Sequence, residues 1–546
     1  QPPNPVKILP TGRPMNILLY VPDNQVTDNF VPQLWPFLLE RLTPPEHAVT
    51  IIDGNISRLD ETGLVDYLRR NRIDLVGMGF MTRMAQKAYR MADAIRSATT
   101  IPVVMGGPHV SALPDEALGR NGNARHADSV VVGEAEDLWP EVVHDAASGR
   151  LRAEYRARAC ADGPVKPSLQ DYPIVPWDGM DMDRFDLMRH VPGFVRKLFR
   201  RLGIPYRRAF VIPVETGRGC PYGCEFCSVT GYFGDRVRFR ALDNVIEELR
   251  RLKALGRREN ALMMVFFVDD NFAIDRPRTK ELLRRMIAED VRIPWVGQIS
   301  VNLLRDEELV RLMAASGCRW IFIGLESVEP VSLAEAHKGF NKPDDYAATL
   351  ALLAKHDLYA ITSFIYGLDG DQIGISTKTL DRIDTWPPVL PVFGLLTPYP
   401  ATPLYSRLEA EGRLLRPFHW LNFQAFRTAF SHRRLSSADL EAEVHHSWRH
   451  SYQRSAFRRT QRWLRQNEKS FSYQFMHFIS RLFFRGIYFP QKSRWAWLRL
   501  LAANTPTIIS LVRSGFPRRS RAKIAAAPEP GLFVGPTVPS SQDAHR

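Results

Sequence analysis

Three cysteines within eight positions, Cys220, Cys224 and Cys227 in ETGRGCPYGCEFCSVTGYFG, are the residues best placed to do chemistry. Their C-x3-C-x2-C spacing puts three thiols on one short loop. Three thiolates bind three irons of a cubane cluster and leave the fourth iron without a protein ligand, open to a substrate or cofactor. The competing assignment is zinc, which in structural sites takes four ligands, usually as paired C-x2-C units. No fourth cysteine or histidine stands close by, and Cys160 and Cys318 would have to be recruited from afar. Five cysteines in 546 residues, three of them clustered, do not make a disulfide framework and fit a reducing compartment.

Other polar residues close apolar runs. FFVDDNF carries Asp269 and Asp270, GQIS carries Gln298 and Ser300, GLES carries Glu326 and Ser327, and LTPYPATPLY carries Tyr399. Asp269 and Asp270 fit a solvated loop or a helix cap as well as a binding role. In the first 150 residues the unusual loops are PDNQ with Asn24, GMGFMT with Gly79 and Thr82, GGPHVS with Gly106 and Gly107, and GEAEDLWP with Gly133 and Glu134. Glycine permits close backbone approach to a ligand, although Gly106 and Gly107 also read as ordinary turn glycines.

The elements that must position these residues are legible as short apolar runs alternating with helical patterns, the mark of βα units and a parallel sheet. Strands are predicted at MNILLY, AVTIID, IDLVGMG, IPVVMG and SVVVG, from Met15, Ala48, Ile73, Ile101 and Ser129. These make a doubly wound, Rossmann-like domain, whose ligands bind beyond the carboxyl ends of the strands, where the unusual loops fall. Six more strands are predicted from Phe210, Met263, Pro294, Arg319, Ala360 and Pro391, separated by helices. Six consecutive βα units imply an incomplete TIM-type barrel, with its chemistry at the C-terminal strand ends. The expected organisation is an N-terminal extension (1–14), the doubly wound domain (15–150), a proline-rich linker (151–206) and the partial barrel (207–415). A basic, aromatic helical region (416–516) and a disordered tail (517–546) follow.

The C-x3-C-x2-C loop, with Phe226 just before the third cysteine and a six-strand half barrel behind it, resembles the radical S-adenosyl-L-methionine (SAM) superfamily. The resemblance implies that Cys220, Cys224 and Cys227 hold a 4Fe-4S cluster whose open iron chelates SAM, and that electron transfer cleaves SAM to a 5′-deoxyadenosyl radical. It implies SAM contacts for Phe226, Asp269, Asp270, Gln298, Ser300 and Glu326, and adenine contacts around Tyr399. The doubly wound domain upstream is similar to the cobalamin-binding class of that superfamily. Asn24, Gly79, Thr82, Gly106, Gly107, Gly133 and Glu134 then become cobalamin-binding candidates. The D-x-H-x-x-G signature is absent, as in similar radical SAM proteins, which implies cobalamin without a histidine axial ligand. The activity implied is C-methylation of an unactivated carbon through methylcobalamin, on a hydrophobic lipid or natural product as in the hopanoid methylases. Ring formation on a tetrapyrrole, or another rearrangement, shares the same architecture.

The formal charge of +14 is not spread evenly. Residues 431–546 hold 20 Lys and Arg against 6 Asp and Glu, so the remainder balances. Arginine interleaved with Trp, Phe and Tyr fits three roles: a helical cap on the open barrel, a helix in anionic headgroups, or an RNA-binding surface. His445, His446 and His450 read as a solvated helix face. Arg481 and Arg485 interrupt the most apolar stretch, so no spanning helix is expected. QPPNPVKILPTGRP lacks the apolar core of a secretory signal. A cytoplasmic enzyme is expected, in contact with a membrane if the basic region reads headgroups. Its partners would be a small hydrophobic substrate and a reductant such as flavodoxin or ferredoxin; nucleic acid is not expected.

Overall fold

Six parallel strands form the first sheet of the computed structural model, in the order β2-β1-β3-β4-β5-β6. They are β1 (Asn16–Val21), β2 (Ala48–Asp53), β3 (Leu75–Gly79), β4 (Val103–Gly106), β5 (Ser129–Val132) and β6 (Glu154–Arg156). The structure describes residues 13–25, 31–160, 163–170, 172–177, 182–190, 193, 196, 197, 206–488 and 494–515. Expectations for 1–12 and 517–546 therefore lie outside the described residues. Runs such as Ile17–Tyr20 and Val130–Val132 are buried throughout, as required of parallel strands covered on both faces. Helices α1 (Leu34–Leu42), α2 (Glu61–Arg70), α3 (Ala85–Ala98), α4 (Pro108–Ala112), α5 (Pro114–Leu118) and α6 (Trp139–Ala147) connect them. Trp139, Val142 and Val143 of α6 pack with Ile17, Leu75, Val104 and Val131 in one core.

The five strands expected in this region are present. β6 adds a sixth, pairing in parallel with β5 within the stretch read as a linker. Three residues with only Tyr155 fully buried are too short to show a period.

The second sheet is also parallel, in the order β12-β11-β10-β9-β8-β7. Its strands are β7 (Arg208–Val214), β8 (Ala261–Phe267), β9 (Trp295–Gln298), β10 (Cys318–Glu326), β11 (Tyr359–Tyr366) and β12 (Leu390–Leu395). All six strands fall where the apolar runs placed them, and the two ends of the sheet do not pair, so the barrel is open. Beyond the barrel, the C-terminal region folds into helices α7 (Ser437–Tyr452), α8 (Arg454–Gln466), α9 (Phe471–Tyr488) and α10 (Arg494–Gly515). They cover the β12 side. Trp448 Nε1 donates to the Phe393 carbonyl at 2.8 Å, the Tyr452 hydroxyl to the Pro391 carbonyl at 2.8 Å, and Tyr473 stacks on Tyr359 at 4.4 Å. On this side the basic aromatic region packs as a cap. No described helix is long and apolar enough to cross a membrane.

The described residues form two compact units: those within 1–180, 217–244 and 397–431 in one, and those within 181–216, 245–396 and 432–546 in the other. The cysteine loop and the segment after β12 thus belong with the first sheet.

Candidate functional site

In the first unit, residues 217–239 form a loop closed by a small hairpin in which Gly217 pairs with Phe239 and Arg218 with Arg238. Gly219 has φ +94°, and a Cβ there would stand 2.6 Å from the Arg236 carbonyl oxygen, so only glycine fits before the first cysteine. The Cys220 amide donates to the Gly234 carbonyl at 3.4 Å, and the Cys227 amide to the Cys224 carbonyl at 3.1 Å. Cys224 is buried, while Cys220, Phe226 and Cys227 are half-exposed. Neighbouring Glu225 forms a two-point ion pair with Arg407, at 2.5 and 3.0 Å, and its carbonyl accepts from the Leu404 amide at 3.0 Å. These contacts tie the cysteine loop to the segment that carries Tyr399, whose carbonyl accepts from the Thr402 hydroxyl at 2.6 Å. Burial pushes the Tyr399 phenol up.

The same unit holds a cavity of about 250 Å³ beyond the ends of β3, β4 and β5. Gly79, Gly106, Gly107 and Glu134 line it, with Trp35, Trp139, Met81 and Phe233 among its apolar walls. A Cβ on Gly79 would come within 2.9 Å of the Trp35 ring, so the missing side chain is what lets the ring close over the sheet. Gly107 has φ +92° and presses on the Phe80 backbone, which makes it a conformational glycine as well as a wall. Asn24, Thr82 and Gly133 are not among the lining residues. Asn24 donates to Asn55 Oδ1 at 2.8 Å, Thr82 Oγ1 lies 3.3 Å from His109 Nδ1, and the Gly133 amide donates to Ser111 Oγ at 2.8 Å. No described lining residue is a histidine.

Glu134 meets the cavity, but its carboxylate is engaged. Arg218 Nη1 reaches Glu134 Oε2 at 2.7 Å and Glu136 Oε1 at 2.8 Å, and Arg238 Nη2 reaches Glu134 Oε1 at 2.8 Å. The Tyr172 hydroxyl donates to Glu136 at 2.7 Å and Arg218 contacts Tyr172 in turn. Burial alone would push the Glu136 carboxyl up, yet Arg218 and Tyr172 outweigh it and hold it below the usual range. Arg218, two residues before Cys220, thus anchors the cysteine loop to the β5 loop. Arg218→Met would leave buried carboxylates short of a partner, and is expected to cost about 3 kcal/mol of stability in denaturant melts.

In the second unit, the barrel strands end on the remaining candidates. Asp269 is buried and accepts from the Thr216 amide at 2.6 Å and from the Thr216 hydroxyl. Asn271 Nδ2 donates to Ser300 Oγ at 2.9 Å, and the Ser300 amide to Asn271 Oδ1 at 3.2 Å. Half-buried Gln298 offers its carbonyl to the Phe272 amide at 2.9 Å, while Asp270 is half-exposed. Glu326 has φ +65°, a strained conformation for a non-glycine residue. Its Oε1 pairs with Lys338 at 2.6 Å, and its buried Oε2 has no hydrogen-bond partner.

Burial, with the Glu215 charge adding to it, pushes Asp269 up to about 7 against the opposing Thr216 hydrogen bonds. The native carboxyl therefore holds its proton more tightly than the unfolded chain does. Its contribution is full below about pH 4 and lost as pH rises through about 7, by about 4 kcal/mol in all. Asp269→Asn, which keeps the bond from the Thr216 amide and can reverse the other by donating to the Thr216 hydroxyl, is expected to flatten that fall when melts at pH 5 and pH 8 are compared.

A B12 binding domain model matches residues 28–143 and a Radical SAM superfamily model residues 214–375. A bacteriochlorophyllide d C-12(1)-methyltransferase of Chlorobaculum tepidum is 30% identical over 370 residues, 67% of this chain and 72% of the relative. The chain belongs to the radical SAM superfamily, in its B12-binding methyltransferase branch. A hopanoid C-2 methylase of Rhodopseudomonas palustris is 26% identical over 395 residues, 71% of this chain and 66% of the relative. Among solved structures, the radical SAM methyltransferase TsrM of Kitasatospora setae, with cobalamin and a 4Fe-4S cluster bound, shares the fold. Its TM-score is 0.56 at 20% identity, over 74% of this chain and 76% of that one.

The cofactors of this B12-binding radical SAM enzyme are a 4Fe-4S cluster, SAM and cobalamin, and its residues fit all three. Three soft thiols on one glycine-permitted loop are the donor set of a three-cysteine cluster. No three His, Cys, Asp or Glu side chains among the described residues stand in a ready-made ligand geometry, the three thiols included, so the fit rests on donor type and loop. For cobalamin the fit is the apolar cavity with glycine walls and no histidine. For SAM it is the buried, unbonded Glu326 Oε2, an acceptor suited to an ammonium. Arg218, Arg238, Tyr172 and Lys338 were not among the candidates read from sequence. The one available signal was Arg218 within the cysteine loop itself.

Proposed function

We propose that this enzyme transfers a methyl group to an unactivated carbon of a large hydrophobic substrate, a tetrapyrrole or polycyclic lipid. The observation that carries the reading is the 30% identity, over two thirds of the chain, to a bacteriochlorophyllide methyltransferase. A hopanoid methylase among the relatives extends it to apolar ring systems generally. The cofactors together supply reductive radical generation from SAM and a methyl donor. In this reading Cys220, Cys224 and Cys227 ligate three irons, and Arg218 holds their loop against the β5 loop. Phe226 flanks the cluster. Glu326 would accept from the SAM ammonium through Oε2, fixed by Lys338, with Asp269, Asp270, Gln298 and Ser300 as further SAM candidates on the same rim; Tyr399 remains the adenine candidate.

Gly79, Gly106 and Gly107 admit cobalamin to the cavity between Trp35 and Trp139. Asn24, Thr82 and Gly133 support the surrounding loops through Asn55, His109 and Ser111, and Glu134 serves chiefly as the anchor of Arg218. A low-potential flavodoxin or ferredoxin supplies electrons in a reducing cytoplasm. The test is anaerobic turnover with methyl-labelled SAM and a panel of bacteriochlorophyllide-type tetrapyrroles and hopanoids. A product gaining one labelled methyl, heavier by one CH2, is expected. A cyclised or rearranged product with the carbon count unchanged would oppose the proposal.

A further inference from the structure

Within the second unit a cavity of about 230 Å³ opens where β12 begins, lined by Val389, Pro391 and residues of α7, α8 and α9. Barrel chemistry sits at the other ends of the strands, so this cavity is not part of the catalytic rim. It far exceeds the roughly 10–15 Å³ that a single water requires. Its most unusual wall is Arg481, only 5% exposed. Nη1 donates to the Ser451 carbonyl at 2.5 Å and Nη2 to the Val389 carbonyl at 2.8 Å, but Nε is buried with no hydrogen-bond partner. The guanidinium otherwise lies near the rings of Tyr452 and Phe457, at 5.4 and 5.8 Å. A buried charge whose hydrogen bonds go only to carbonyls, with no carboxylate bonded to it, is costly unless an anion completes it. Burial draws Arg481 down to about 10, which leaves it cationic at neutral pH.

The surrounding residues increase the excess charge. Arg459 and Arg462 also line the cavity, where the single acid is Asp384. That carboxylate is already shared, accepting from Arg459 at 2.6 Å and lying 3.0 Å from His450 Nε2. Three arginines therefore line a cavity whose one carboxylate is already occupied. Helix α8, RSAFRRTQRWLRQ, carries five arginines and no acid, and Thr460 and Trp463 add a hydroxyl and an apolar wall.

We propose that this cavity binds a phosphate-bearing anion, either a soluble phosphomonoester or the phosphate of an anionic lipid headgroup, between Arg462 and Arg481. A dianion answers an excess of two positive charges, and the planar fork of a guanidinium matches phosphate oxygens. The site is independent of methyl transfer, since it lies at the other ends of the strands.

The test uses the full-length, anaerobically reconstituted protein with two probes. One is inorganic phosphate against chloride at matched ionic strength, read as a shift in Tm. The other is phosphatidic acid–phosphatidylcholine vesicles, whose headgroup is a phosphomonoester, against phosphatidylcholine alone, read by flotation. Arg462→Gln, at an exposed position, is expected to weaken whichever interaction exists about tenfold; Arg481→Gln should do so more strongly if it folds. A phosphate response that Arg462→Gln loses, without vesicle binding, assigns a soluble ligand. Vesicle binding that Arg462→Gln loses, with or without a phosphate response, assigns a headgroup. Wild type and Arg462→Gln behaving alike towards both probes would overturn the proposal.

Discussion

Cys224→Ala is expected to reduce 5′-deoxyadenosine formation from SAM to background and to strip the protein of a complete 4Fe-4S cluster after anaerobic reconstitution. Cys224 is the buried member of the three thiols, on a loop held by a positive-φ glycine on one side and by Glu225–Arg407 on the other. Removing one ligand of three leaves a cubane with two exposed corners, which neither persists nor presents one open iron. Iron and sulfide analysis, the visible absorption of the cluster and SAM cleavage should all fall together. Because only the sulfur of a single loop residue is lost, Tm of the cofactor-free protein should change little. That separates loss of the cluster from loss of the fold.

Ala135→Trp is expected to cut cobalamin occupancy at least tenfold while leaving iron and sulfide unchanged. Ala135 lines the cavity beside Trp35, Trp139 and Gly79 and is not itself fully buried, so the added ring fills ligand space before it strains the core. The packing there is already tight, since a Cβ at Gly77 would stand 2.9 Å from Leu19, and little relaxation is available. Cobalamin content by absorbance, set beside iron content in the same preparation, reads the two cofactors separately. Retention of cobalamin in this variant would place it elsewhere than the cavity.

The strands were legible because parallel strands buried on both faces are written as unbroken apolar runs. ILLY in β1 and VVV in β5 needed no partner to be recognised, whereas EYR of β6 was too short to show a period. The cysteine loop was legible because its spacing is local. What stayed hidden were pairings made across the chain. Arg218 looks like any polar residue in a glycine-rich loop until the fold brings it to Glu134, 84 positions upstream. Glu134, read from sequence as a cofactor contact, meets the cavity while its charge serves Arg218 and Arg238. Asn24 and Thr82 were placed correctly at strand-end loops, yet their side chains are spent on Asn55 and His109. Glu326 stood out by position, but its positive φ and the pairing of one oxygen with Lys338 depend on a loop returning to the strand end.

The central claim is a single chain that uses a three-cysteine cluster and cobalamin together. The most direct measurement is anaerobic reconstitution followed by iron, sulfide and cobalamin stoichiometry with a SAM-cleavage assay on the same sample. One 4Fe-4S cluster and one cobalamin per chain are predicted, with 5′-deoxyadenosine formed only when the cluster is present. A full cluster and undiminished cleavage in Cys224→Ala, or a wild-type protein that takes up the cluster but no cobalamin, would contradict it.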